Sequence, residues 1–178
     1  MKQFTCYNIA NARSLNNKLG DLQFFLDSNN PYIVILTETW LNRHTPHSLI
    51  ACSTSFNVFR KDFLSCGGDI RMLVRKFSNI NVISVNLPAD QDDLDILAVD
   101  LQDPYGTLPL PLLVTYRPPG YSSIDNIRLF SALHSLADGH VRLRVVVISI
   151  SLASTGIYLS IQTIIYTVLL LILYVIMV

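Results

Sequence analysis

Glutamate is almost missing from this chain: Glu38 stands alone in 178 residues, so the other 12 acidic side chains are aspartates. Cysteine occurs three times, at Cys6, Cys52 and Cys66. That is too few and too scattered for a disulfide framework or a paired-cysteine zinc site, so reduced thiols are expected. Net charge is absent, with 13 Lys+Arg against 13 Asp+Glu. A protein that held DNA by phosphate neutralisation alone would be basic, so a general polyanion binder is excluded, although a local positive groove is not. No repeat, heptad or collagen period runs through the chain. The opening MKQFTCYNIANARS has no continuous apolar stretch, and no secretory leader is expected from it.

Charge is missing altogether from the C-terminal stretch Val145 to Val178. Every charged residue lies between Lys2 and Arg144, which makes the chain up to Arg144 about 18% charged, a value that suits an ordinary soluble domain. The composition thus predicts two parts, a domain over 1–150 and an apolar tail over 151–178.

Within the first part, Phe4 to Asn8 reads as a strand. Leu15, Leu19, Leu22 and Leu26 then form one helical stripe, with Ser14 as N-cap and Asn29-Asn30-Pro31 as the stop. Tyr32 to Thr37 is a continuous β-branched run, a strand buried on both faces. Strand, helix, strand is the opening of an α/β protein. Further strands are expected at Asn57–Arg60, Ile70–Arg75, Asn81–Asn86, Leu94–Leu101 and Leu112–Tyr116, separated by Gly67-Gly68, Pro88 and Pro104-Tyr105-Gly106. The connections are too short for crossover helices, so this region should be mostly antiparallel. After the Pro118-Pro119-Gly120 turn, a second helix is expected over Ser123–Ala137, with Ile127, Phe130, Leu133 and Leu136 toward the core and Gly139 past its end. Leu143–Ile150 begins another strand.

The tail from Ile157 to Val178 carries no charge. As a helix it would be roughly 33 Å long, enough to cross a bilayer core of about 30 Å. With Arg142 and Arg144 upstream and no cation after them, such a span would place the preceding domain in the cytosol. Two readings stand side by side: a transmembrane helix that anchors the chain, or translated frameshifted or noncoding sequence.

The chemistry gathers at strand ends. Glu38 follows the buried strand directly, flanked by Thr37 and Thr39, and ligands of α/β sheets bind beyond the carboxyl ends of strands. Asn11 follows the first strand and reaches the same edge. Asparagine and glutamate oxygens suit Mg²⁺, which takes one or two carboxylates, waters and substrate phosphate. Tyr116 and Arg117 close a later strand with a hydroxyl and a guanidinium that can address a phosphate. The tract Asp90, Asp92, Asp93, Asp95 lacks a fixed framework and reads as a solvated approach to a strand rather than a second metal site. His44, His47, His134 and His140 have no ligand spacing, so no zinc is expected.

Four segments, in this order, carry a family resemblance: Asn11-Ala12-Arg13-Ser14-Leu15, Thr37-Glu38-Thr39-Trp40-Leu41, Cys66-Gly67-Gly68 and Thr115-Tyr116-Arg117-Pro118-Pro119-Gly120. Over about residues 3–147 the chain resembles the endonuclease domain of LINE-type (non-LTR) retrotransposons, of the endonuclease/exonuclease/phosphatase superfamily. The resemblance implies a four-layer α/β sandwich of two mixed sheets, here truncated. It implies Mg²⁺-dependent hydrolysis of a DNA phosphodiester, with DNA as partner. By position it implies Asn11 and Glu38 as metal residues, Glu38 and Tyr116 as catalytic residues, and Tyr116 with Arg117 on the substrate phosphate.

The pattern breaks downstream. Where the family carries Gly-Asp-x-Asn, Ser149, Ile150 and Leu152 stand in place of the three named residues. The later Ser-Asp-His motif is absent: no histidine follows His140 and no aspartate follows Asp138. A branched hydrocarbon can neither accept a proton nor hold a cation, and loss of a general base costs roughly 10²–10⁴ in rate. Inactivity as a nuclease is therefore expected, and a tail-anchored membrane protein with a cytosolic binding domain is the competing function. Another departure is Asp69-Ile70-Arg71-Met72, where the family is apolar. With a strand period of two, Asp69 and Arg71 are expected to face solvent while Ile70 and Met72 point inward.

Overall fold

The computed structural model describes residues 7–41, 43–51, 55–62, 69–76, 81–85, 93–102, 110–117, 121–137, 142–153 and 156–167. Cys66-Gly67-Gly68, Asp90, Asp92, Pro118-Pro119-Gly120, Gly139 and the apolar stretch 168–178 lie outside the described residues.

The chain runs β1 (Tyr7–Asn11), α1 (Leu19–Asn29), β2 (Ile33–Thr37), α2 (His47–Ile50), β3 (Phe56–Lys61), β4 (Ile70–Arg75), β5 (Asn81–Val85), β6 (Ile96–Gln102), β7 (Leu110–Arg117), α3 (Ser123–Ala137), β8 (Arg142–Ala153) and β9 (Gly156–Thr167). Two mixed sheets result, in the orders β1-β2-β4-β3 and β5-β6-β7-β8-β9. The pairs linked by a helical crossover, β1–β2 and β7–β8, are parallel, and every other pair is antiparallel.

Alternation within each strand builds the layers. Ile33 and Ile35 of β2 and Ile70, Met72 and Val74 of β4 pack against Leu97, Val99 and Leu101 of β6 and Leu112, Val114 and Tyr116 of β7, which makes the core between the sheets. The intervening residues Val34, Leu36 and Leu73 meet Leu22 and Leu26 of α1. Ile96, Ala98 and Leu113 meet Leu129, Ala132 and Leu133 of α3. The order of layers is helix, sheet, sheet, helix. Both faces of the central strands are covered, which is why β2 reads as an unbroken apolar run.

β1 runs to Asn11 rather than stopping at Asn8, so Asn11 ends the first strand instead of following it; five further departures from the sequence reading are larger. First, α1 begins well after the start of its leucine stripe, because Leu15 is buried in a turn whose amide donates to Thr39 O (2.8 Å). Ser14 does not cap the helix; its φ is 77°, and Lys18 is the N-cap with no side-chain cap bond. Second, on α3 Ile127 is 65% exposed, whereas Leu129 and Ala132 are buried. A run of three-residue steps drifts about 60° per step around a 3.6-residue helix, so its first member leaves the face that Leu133 occupies.

Third, Arg71 and Asp69 do not face solvent: Arg71 is 0% exposed and Asp69 is buried as well. The face of β4 opposite the inter-sheet core is itself covered, so the pair is buried together. Fourth, Asp95 is 0% exposed rather than solvated, while Asp93 does lie on the surface, paired with Arg128 (2.9 Å). Fifth, residues 156–167 are not helical. They form β9, paired antiparallel with β8 from Arg142↔Thr167 to Ala153↔Gly156. Ile157, Ile161, Thr163, Ile164, Ile165 and Thr167 are β-branched and favour strand over helix, and the free edge of β8 offers them a ladder. Among the described residues no helix is long and apolar enough to cross a membrane.

Candidate active site

The rim of the inter-sheet core brings three of the singled-out residues together. Asn11 ends β1 and sits beside Thr37 at the end of β2, since the two strands are parallel and in register there. The chain beyond each strand stays attached to the other: Ala12 N donates to Thr37 O and Ser14 N to Glu38 O, both at 2.8 Å. From the opposite sheet, Tyr116 of β7 donates its hydroxyl to Glu38 Oε1 at 2.5 Å. The one glutamate is thus held across the gap between the sheets, half-buried, at the place where the carboxyl ends of β1 and β2 meet.

The backbone here is unusual. Arg13, Ser14, Glu38 and Trp40 have φ of 44°, 77°, 51° and 55°, the left-handed region, and none is glycine. Each such residue costs on the order of 1–2 kcal/mol and persists only where its surroundings fix it. For the β2 loop the fixing is visible. Glu38 N donates to Asp69 O (3.1 Å), Trp40 N to Asp69 Oδ1 (3.0 Å), and Thr39 Oγ1 to Asp69 Oδ2. Asn11 Oδ1 in turn accepts from Arg13 N at 3.0 Å.

Arg117 is not brought to Glu38. It follows Tyr116 on β7 and so lies on the other face, where its Nε donates to Asn126 Oδ1 of α3 at 2.6 Å.

Asp95, which the sequence reading placed in a solvated strand approach, borders the site together with Tyr121. The Asp95 backbone oxygen accepts from Tyr116 N (3.1 Å), and its Oδ2 accepts from the Tyr121 hydroxyl (3.1 Å). Burial pushes the Asp95 carboxyl up to about 7, against the downward pull of the Tyr121 hydrogen bond and the Lys61 charge. Burial also pushes the Tyr116 hydroxyl above its ordinary value, reinforced by the hydrogen bond to Glu38 and the Glu38 and Asp95 charges. Tyr116 is therefore a proton donor to the carboxylate and stays protonated at neutral pH. Its signal in the sequence was a hydroxyl at a strand end within the Thr115–Gly120 motif; Asp95, one aspartate in a run of several, gave no sign of being buried.

The donor set suits a hard cation. Asn11 Oδ1, the Glu38 carboxylate and Tyr116 Oη are all oxygens. Thr37 Oγ1, fully buried beside them, has no hydrogen-bond partner among the described residues. With one carboxylate, Mg²⁺ would keep most of its water and rely on a phosphate for the rest of its shell. No cluster of three His, Cys, Asp or Glu side chains occurs among the described residues.

Against known proteins, no family model matches the chain and no curated protein sequence matches it. Solved structures do. A 3′ phosphatase from Neisseria, NExo, bound to a product DNA hairpin, aligns with TM-score 0.56 at 17% identity over 80% of this chain and 56% of its own. The AP endonuclease LMAP from Leishmania major gives 0.56 at 14% identity over 79% and 53%. The endonuclease domain of TRAS1, a telomere-specific non-LTR retrotransposon, gives 0.55 at 12% identity over 84% and 60%. The fold is that of the endonuclease/exonuclease/phosphatase nucleases. The chain spans little more than half the length of these nucleases.

Proposed function

We propose that this chain is a cation- and phosphate-binding domain of retrotransposon-endonuclease type, built for DNA phosphodiesters, that keeps the metal seat and lacks the group that activates water. The observation that carries this reading is the Tyr116–Glu38 hydrogen bond (2.5 Å) across the two sheets, at the strand ends that also hold Asn11.

In this reading Asn11 Oδ1 and the Glu38 carboxylate hold Mg²⁺, and Tyr116 has two tasks. Its hydroxyl fixes the rotamer of Glu38, and it offers its oxygen toward a phosphate at the rim. Bound Mg²⁺ would supply charge stabilisation to a phosphate oxygen. Arg117 ties β7 to α3 through Asn126 and is left out of the cation seat. A proton acceptor for the attacking water is what the set lacks. Where the nucleases' motif would put Asp and Asn, β8 runs on as strand through Ile150 and Leu152, paired with Leu159 and Ile157 of β9. A missing base costs about 10²–10⁴ in rate.

Relaxation of supercoiled plasmid with and without Mg²⁺ tests this. The expected result is no metal-dependent nicking above that of Glu38→Ala. Nicking that requires Mg²⁺ and disappears in Glu38→Ala would overturn the inactive reading.

A further inference from the structure

The loop after β2 has to turn Glu38 and Trp40 through left-handed conformations, and neither residue holds such a shape unaided. One residue, Asp69 just before β4, receives donors from all three positions of that turn. Asp69 accepts from Glu38 N with its backbone oxygen (3.1 Å), from Trp40 N with Oδ1 (3.0 Å) and from Thr39 Oγ1 with Oδ2. Behind it stands Arg71, whose Nη2 lies 3.5 Å from Asp69 Oδ2 and 2.6 Å from Asp62 Oδ1 and donates to Leu41 O at 3.1 Å. Arg71 thus holds both Asp69 and the far end of the same loop, and it does so fully buried. We infer that Asp69 and Arg71 are a positioning pair that presents the Glu38 carboxylate at the rim; the inference rests on the cation reading above and adds the device that aims its one carboxylate.

A pair that served only to fill space would be dispensable. Buried ion pairs exchanged for apolar residues of similar volume are often neutral or stabilising. The double variant Asp69→Leu/Arg71→Met therefore separates the two roles: it removes the side-chain acceptors of the loop, while the main-chain acceptor Asp69 O stays and Asp62 keeps Arg60 as its partner (2.5 Å). Trp40, the only tryptophan and 55% exposed, reports on the loop directly. Tb³⁺ serves as the probe cation, its luminescence sensitised by the nearby Trp40 indole.

The full chain, Glu38→Gln, Thr39→Val and the double variant are compared by thermal unfolding, Trp40 fluorescence anisotropy and Tb³⁺ titration. The expected result is cooperative unfolding of the double variant with lower Trp40 anisotropy and Tb³⁺ affinity weakened by roughly 10-fold or more, the range typical when partners behind a metal ligand are removed. Thr39→Val, which deletes one donor and keeps the β-branch, should move both readings the same way by a smaller factor, and it decides the matter if the double variant does not fold. Wild-type anisotropy and wild-type Tb³⁺ affinity in a folded variant overturn the positioning role. Should Tb³⁺ bind Glu38→Gln as well as wild type, the cation reading fails instead; the anisotropy then decides the pair alone, a fall supporting it and no change overturning it.

Discussion

Asp95 should make this protein lose stability as the pH rises through neutrality, the reverse of an ordinary salt-bridged carboxylate. Its side chain is fully buried, and burial raises its carboxyl from 3.8 to about 7 in the folded state. The sign follows from proton counts: between these two values the folded chain binds a proton that the unfolded chain has released, so unfolding becomes more favourable with each unit of pH. The stabilisation is complete below about pH 4 and gone once the pH has passed the folded value. At about 1.4 kcal/mol per unit, a shift of roughly three units amounts to about 4 kcal/mol, an upper bound. About 2.5 kcal/mol of that falls between pH 5 and pH 8. Asp95→Asn imitates the protonated form and removes the titration. Urea unfolding of both proteins at pH 5, 6, 7 and 8 measures the effect, and the difference between them cancels all other titrating groups. The expected result is that the variant gains on wild type steadily up to pH 7 and levels off above it. A constant difference across the range would show that Asp95 takes up no proton on folding there, and a difference of opposite slope would mean that Asp95 is paired with a cation in solution.

Other outcomes follow from packing and pairing. Leu129→Ala should cost about 2–5 kcal/mol in urea unfolding, because Leu129 is 1% exposed between α3 and its sheet. Ile127→Ala, on the exposed side of the same helix, should stay within about 0.5 kcal/mol; equal losses would contradict the rotation of α3. In hydrogen exchange the amides of residues 157–166 should alternate between slow and fast, since a strand paired along one side protects every second N–H; uniform protection would mark a helix and overturn β9.

The elements were legible in the sequence because hydrophobic period and turn residues agree along most of the chain up to Ala137; α3 in particular begins and ends where Ser123 and Ala137 place it. That Asn11 and Glu38 share one sheet edge was legible from strand ends, and the family resemblance pointed to Tyr116 beside them; their roles stay a proposal. What was not legible depends on layers. Asp69 and Arg71 look like solvent-facing alternates only if β4 has a wet side, and in a four-layer sandwich it has none. Asp95 was misjudged for the same reason. Leu15 completes a helical stripe by spacing, yet its amide is claimed by Thr39, which lies beyond α1 and β2 in the chain. Residues 156–167 belong by hydropathy to an apolar tail, but hydropathy cannot distinguish a bilayer from the open edge of β8; β-branching was the signal that favoured strand there.

In the proposed reading Asn11 and Glu38 seat a divalent cation at the rim of the sheets. Crystals of the protein soaked in Mn²⁺, measured for anomalous scattering, test it most directly. The expected result is one strong peak within bonding distance of Asn11 Oδ1 and the Glu38 carboxylate, lost in Glu38→Gln. A rim without a peak at saturating Mn²⁺, or a peak that survives Glu38→Gln unchanged, would contradict it.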